Sequence, residues 1–145
     1  MLAKSTQYAI RAMVFIQLRN WEKERPGVEE IAREIEAPVA FAAKILQTLT
    51  RHRLVGSLKG RGGGFAFEDM QTELSIYGVI HVMEGDACFH SCGFGLKSCN
   101  SENPCPLHEE YGVMRDGFFD IVKSESIHSL SKKILDGKAV LNRFG

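Results

Sequence analysis

From Asp86 to Pro106 the chain carries four cysteines, two glycines and two prolines with little apolar periodicity, so something other than a hydrophobic core must order this stretch. Cys88, Cys92, Cys99, Cys105 and His108 follow one another with three, six, five and two residues between them. Disulfides would need an oxidising compartment. The chain opens without a signal-peptide cleavage pattern, and its longest early apolar stretch, Ala9 to Leu18, is interrupted by Arg11 and Gln17 and is too short to cross a bilayer. A cytoplasmic protein with no membrane partner is expected, in which crowded reduced thiols serve metal or redox chemistry. Thiolates separated by five or six residues can wrap an iron-sulfur cluster, which is larger than a single ion. Zinc is the rival: Cys88 with Cys92 and Cys105 with His108 make the close pairs of a structural site and leave Cys99 spare. A thiol enzyme using Cys88 or Cys92 as nucleophile is a third reading, but no activating triad accompanies it. No catalytic residues are therefore assigned.

Charge is distributed unevenly. The 145 residues carry 18 basic and 18 acidic side chains, yet residues 1–70 hold eleven against eight and residues 71–145 seven against ten. From Ala37 to Phe67 there are Lys44, Arg51, Arg53, Lys59 and Arg61 and no carboxylate, a pattern suited to phosphate. A composition of 44% hydrophobic and 25% charged residues excludes fibrous and highly charged disordered classes and leaves one compact domain or two small ones.

Apolar periodicity places the elements. Ala9, Ala12, Met13 and Ile16 define a first helix running to about Asn20, capped by Ser5 or Thr6. Val28, Ile31, Ala32 and Ile35 define a second, ended by Pro38, and Ala42, Ile45, Leu46 and Leu49 a third over 39–52. The tight corner between them predicts a helix-turn-helix. On the third helix Lys44, Gln47, Thr48 and Arg51 share a face with the small residues Ala40 and Ala43, a surface able to enter a major groove. Leu54–Lys59 and Phe65–Phe67 then flank a glycine-rich tip, which predicts a hairpin wing presenting Lys59, Arg61, Gly62 and Gly63 to DNA. The same glycines fail as a nucleotide cradle, because strand residues follow them instead of Lys-Ser or Lys-Thr and a helix.

Thr72 is expected to cap a fourth helix through Ile76, Val79, Ile80 and Met83. Beyond Pro106, Leu107, Tyr111, Met114, Phe118 and Ile121 alternate steps of four and three, the seam of a long helix that pairs with another. That seam predicts a homodimer, with packing onto the first and fourth helices and with Phe118 and Phe119 exposed between chains. Ser129–Leu135 adds a short helix, and the chain from Asp136 is expected to fray. The expected fold is mainly α with a small β-wing: a winged helix-turn-helix domain over 1–70, then a dimerisation and cysteine-cluster region over 71–145, packed with the first helix as one unit.

The opening Ser5-Thr6-Gln7-Tyr8-Ala9-Ile10-Arg11-Ala12-Met13, the wing Lys59-Gly60-Arg61-Gly62-Gly63-Gly64-Phe65 and the Cys92, Cys99, Cys105, His108 array together resemble the Rrf2 family of bacterial winged-helix regulators, in the same order over nearly the whole chain. The resemblance implies a homodimeric transcription factor on double-stranded promoter DNA. It also implies a [2Fe-2S] or [4Fe-4S] cluster near the dimer interface held by Cys92, Cys99 and Cys105, whose state changes which promoter is bound. Among relatives the fourth ligand is a histidine shortly after the last cysteine, matched by His108, or an acidic residue on the partner's first helix, a position occupied here by Gln7. Cys88 lies outside the three-cysteine pattern and is a competing ligand. Ala43 and Arg61 depart from a glutamate and a proline found in some relatives, so a target sequence does not transfer.

Overall fold

The computed structural model describes residues 2–68 and 71–141. These form α1 (Lys4–Trp21), α2 (Val28–Glu34), α3 (Val39–Arg51), β1 (Gly56–Leu58), β2 (Gly64–Ala66), α4 (Ile76–Glu84), α5 (His108–Ser124) and α6 (Ile127–Leu135), with 3-10 turns at Gln71–Glu73 and Ala87–Phe89. The fold is mainly α with a two-stranded wing, as expected. The expected boundary after residue 70 falls beside residues outside the described ones.

Helix α1 is the central element and packs against α2, α3, α4 and α6. Its expected stripe Ala9, Ala12, Met13 and Ile16 is fully buried, and Ile31, Ile35, Ala42, Ile45, Leu46 and Leu49 complete the core beneath the helix-turn-helix. Between α2 and α3 the chain turns at Glu36, whose φ of 58° reverses it ahead of Pro38.

The start of α1 corrects the expected cap. Ala3 stands at the N-cap, and neither Ser5 nor Thr6 caps the helix. Instead, the Ala3 N–H and the hydroxyl of the buried Thr6 both donate to Glu84 Oε2, at the end of α4. A carboxylate at a helix N-terminus satisfies free N–H groups and complements the helix dipole, so a residue 78 positions away from Thr6 does the capping.

Strands β1 and β2 pair antiparallel with Ser57 opposite Phe65. At the tip, a Cβ on Gly63 would lie 2.2 Å from the Leu58 carbonyl oxygen, so only glycine closes this turn. Asn20, at the end of α1, donates to the Phe65 carbonyl at 3.2 Å and accepts from the Phe67 N–H at 2.9 Å, while the Phe65 N–H bonds the Pro26 carbonyl at 2.9 Å. The wing is thereby fixed to the helical core.

Ser75, not Thr72, caps α4, accepting from the Gly78 N–H at 3.3 Å, while Thr72 lies in the preceding 3-10 turn. Helix α5 packs mainly on α4 and on the Ala87–Phe89 turn. Phe118 stacks on the buried Phe89 at 5.5 Å and Phe119 meets Phe89 and Tyr77 edge-on, so this expected exposed pair is instead half-buried within the chain. A Ser126–Ser129 capping box starts α6. Leu141 packs on the core, so the tail expected to fray folds back over the described residues; 142–145 lie outside them.

Candidate functional site

Of the five candidate ligands, the chain brings three cysteines into one set: the sulfurs of Cys92, Cys99 and Cys105 lie within 4.8 Å of one another. Cys92 and Cys105 are 3.4 Å apart, and His108 Nδ1 approaches Cys99 Sγ at 3.3 Å from the first residue of α5. The Phe94 N–H points to Cys92 Sγ and the Cys105 N–H to Cys99 Sγ, each at 3.3 Å. The Leu96 backbone N–H, with neighbouring thiols and the Phe94 N–H, brings the Cys92 thiol down to about 7. Burial pushes the Cys105 thiol up.

Helix α5 clamps this loop from one side. Arg115 donates from Nη1 to the Ser91 carbonyl at 2.7 Å, and its guanidinium lies 5.8 Å from the Tyr111 ring centre. That ring lies so close that a Cβ on Gly93 would be 2.3 Å from it, so glycine beside Cys92 permits the contact. Together these groups line a cavity of about 150 Å³. His90 lines it too, with Nε2 3.4 Å from Asp86, although its surroundings in the sequence suggest only solvation; the Asp86–His90 interval of four was the available signal.

Cys88 stands apart from the close set. It lines a neighbouring cavity with Ser91, Tyr111, Met114, Arg115 and Phe118, and burial, then Glu84, pushes its thiol up. Gln7 donates its side-chain amide to the Leu2 carbonyl at 3.0 Å. Three thiols with an adjoining imidazole are a soft donor set that fits iron or zinc, and the N–H groups aimed at sulfur suit thiolate ligands.

On α3, Lys44, Gln47 and Arg51 are exposed and Thr48 is half-buried, its hydroxyl bonding the Lys44 carbonyl at 3.1 Å. Lys59, Arg61 and Gly62 are exposed at the wing tip, while Gly63 is turned into it. On α5 the seam divides: Leu107, Met114 and Ile121 are 44%, 47% and 60% exposed, whereas Tyr111 and Phe118 are half-buried. Asn20, the wing anchor, was invisible to pattern reading because its partners in the wing are backbone groups more than forty residues away.

A family model described as "Rrf2: Iron-dependent Transcriptional regulator" matches residues 2–133. The chain belongs to the Rrf2 family. It is a transcriptional regulator, and DNA binding comes with the family. Protein aau3 of Rhizobium meliloti is 30% identical over 132 residues, covering 90% of this chain and 84% of that protein. The HTH-type transcriptional regulator NsrR of Oceanobacillus iheyensis is 26% identical, with 90% and 89% covered. The structure of CymR (YrzC), the global cysteine regulator of B. subtilis, is similar in fold, with a TM-score of 0.72 at 17% identity, covering 91% of this chain and 96% of that one. Among the described residues no helix is long and apolar enough to cross a membrane.

Proposed function

We propose that promoter binding by this regulator is set by an iron-sulfur cluster held by Cys92, Cys99 and Cys105, with His108 as fourth ligand, and that the signal is redox change, nitric oxide or cluster status. The observation that carries the reading is the convergence of three thiols from a loop with almost no buried apolar side chains, Phe89 and Cys105 excepted, at the start of a long helix. When bound, the cluster supplies a centre whose charge and ligation respond to oxidant and nitric oxide.

The remaining steps belong to the chain. Cys92, Cys99 and Cys105 gather the loop onto α5, where Arg115 and Tyr111 hold it. The loop begins at Gly85, next to Glu84, which holds the α1 N-terminus; Tyr8 of α1 packs edge-on against Phe41 of α3 at 5.6 Å. Order in the loop thus biases the reading helix through α1. The exposed Leu107, Met114 and Ile121, facing a second copy, supply a homodimer whose two α3 helices meet a pseudo-palindrome, with Lys59 and Arg61 on phosphates or in the minor groove.

One observation favours a second reading, structural zinc: three zinc–sulfur bonds of about 2.3 Å place thiolates less than about 4 Å apart, within the observed 4.8 Å limit. Strictly anaerobic purification with iron, sulfide and zinc analysis, a visible spectrum and promoter binding with and without the metal centre decides between them. Stoichiometric iron and sulfide with state-dependent binding is expected. Zinc without sulfide makes the loop a structural clip, and identical binding of both forms to every promoter refutes the sensor.

A further inference from the structure

At 100° per residue Ala40, Ala43, Lys44, Gln47 and Arg51 lie opposite the buried Ala42, Ile45, Leu46 and Leu49. The chemistry along this face is graded. Its N-terminal part is apolar and small, Ala40 and Ala43; Lys44 follows, and its C-terminal end is the cation Arg51. The hydroxyls of Thr48 and Thr50 donate to the carbonyls of Lys44 and Gln47, each at 3.1 Å, so both are committed to their own helix. The Gln47 amide is exposed and makes no hydrogen bond among the described residues, and it is the one group on this face with a neutral donor and acceptor side by side.

Resting on the assignment of α3 as the DNA-reading helix, we propose that Gln47 reads an adenine in the major groove and that Ala40 and Ala43 meet the methyl groups of adjoining thymines, so that each half-site carries an A·T core. Three features select this assignment over the other bases. An amide matches adenine N6–H and N7 bidentately. Cytosine would need an acceptor for its N4 amino group, and no carboxylate lies between Ala37 and Phe67. At the Gln47 position itself guanine would call for a cation reaching O6 and N7, whereas Gln47 is neutral and the cations of this face, Lys44 and Arg51, stand about one turn before and one turn after it. Alanine side chains let the helix backbone approach closely, and their methyls are the apolar surface that a thymine C5-methyl packs on.

The test is selection of duplexes from a random library by the full-length protein purified anaerobically, followed by base replacement in the enriched site. An adenine flanked by thymine is expected in each half-site. Uracil in place of those thymines removes only the methyl and should weaken binding about fourfold per methyl. Gln47→Ala, at an exposed position, should fold normally and lose preference for that adenine by about tenfold with an unchanged salt slope, because no phosphate contact is lost. 7-Deazaadenine at that position should weaken the wild type and leave Gln47→Ala unaffected.

Enrichment of guanine at the Gln47 position, indifference to uracil, or an unchanged consensus with Gln47→Ala overturns the proposal. Salt-dependent binding with no consensus also overturns it while leaving DNA binding intact. Failure to bind any duplex overturns the DNA-reading assignment and this one with it.

Discussion

Replacing Glu84 by alanine removes the acceptor of two donors at once, one exposed to solvent and one buried. Its Oε2 accepts from the Ala3 N–H at 2.9 Å and from the hydroxyl of Thr6, which is fully buried. Loss of a helix cap costs about 1 kcal/mol, and an unpaired buried hydroxyl about 1–3 kcal/mol. The sum, about 2–4 kcal/mol, is a large share of the roughly 5–15 kcal/mol that holds a domain together. Glu84→Gln keeps an oxygen acceptor and loses only the charge at the helix end, a cost of about 1 kcal/mol. Thr6→Val conserves shape and leaves the Ala3 bond in place. In that background Glu84→Ala no longer strands a hydroxyl, so the pair should show a coupling energy of about 1–2 kcal/mol. Urea unfolding of the metal-free variants, followed by far-UV circular dichroism and by the single tryptophan Trp21, measures each corner at constant m. Additivity of the two substitutions within about 0.5 kcal/mol, or Glu84→Gln as damaging as Glu84→Ala, would refute the shared-acceptor argument.

Other outcomes follow from the same geometry. Lys133, then Ser129, hold the Glu125 carboxyl below its usual range, so its contribution to stability is present above the ordinary carboxylate value and is lost as pH falls through the lower native one. Glu125→Gln should therefore flatten the decline in urea midpoint between about pH 5 and pH 3. Gly93→Ala must displace the Tyr111 ring from the cysteine loop and should lower zinc affinity at least about tenfold in a chelator competition; Gly117→Ala, with nothing within 4 Å of its Cβ, should leave zinc binding unchanged. Ile121→Glu places a charge on the exposed seam and should yield a folded monomer by light scattering, an unchanged dimer mass arguing against that face. Lys59→Ala with Arg61→Ala should reduce the slope of log affinity against log salt by up to about 2, and an unchanged slope removes the wing from the interface.

What pattern could read here was what chain-local physics determines. The i, i+3, i+4 stripes of α1, α2 and α3 are the core because a helix buries one face, and the glycines between Lys59 and Phe65 announce a turn because Gly63 has no room for a Cβ. Spacing also identified the cysteine loop, but not which cysteine stands apart. Cys88 is separated by the Ala87–Phe89 turn, which buries Phe89 among Tyr77, Phe118 and Phe119, and aromatic packing leaves no periodic trace in a loop. The same cluster explains why Phe118 and Phe119 are engaged inside the chain while Leu107, Met114 and Ile121 on the same helix face outward. Ser5, Thr6 and Thr72 have the chemistry of caps, but Ser75 caps α4 and Glu84 supplies the acceptor at the start of α1, where Ala3 is the N-cap, and a distant carboxylate is outside the reach of any local rule.

Glu84 also explains why α1 belongs to both halves of the molecule. The residue after it, Gly85, has φ 77°, ends α4 and starts the path into the cysteine loop. On the other side of the same carboxylate, α1 carries Tyr8 against Phe41 at the start of α3 and Asn20 against the wing, so the element that Glu84 pins supports both α3 and the wing, the two structures proposed to meet DNA. A regulator that moved its reading head by bending a linker would need few contacts across the joint. Here α1 is packed against α2, α3, α4 and α6 together, and packed helices shift between discrete arrangements instead of flexing. On the proposed sensor reading, loop order is transmitted as a small displacement of α1 relative to α4, and Glu84→Gln, which weakens that attachment without stranding Thr6, should narrow the difference in promoter affinity between metal-bound and metal-free protein. An undiminished difference in that variant would route the coupling through α5 and the second copy instead.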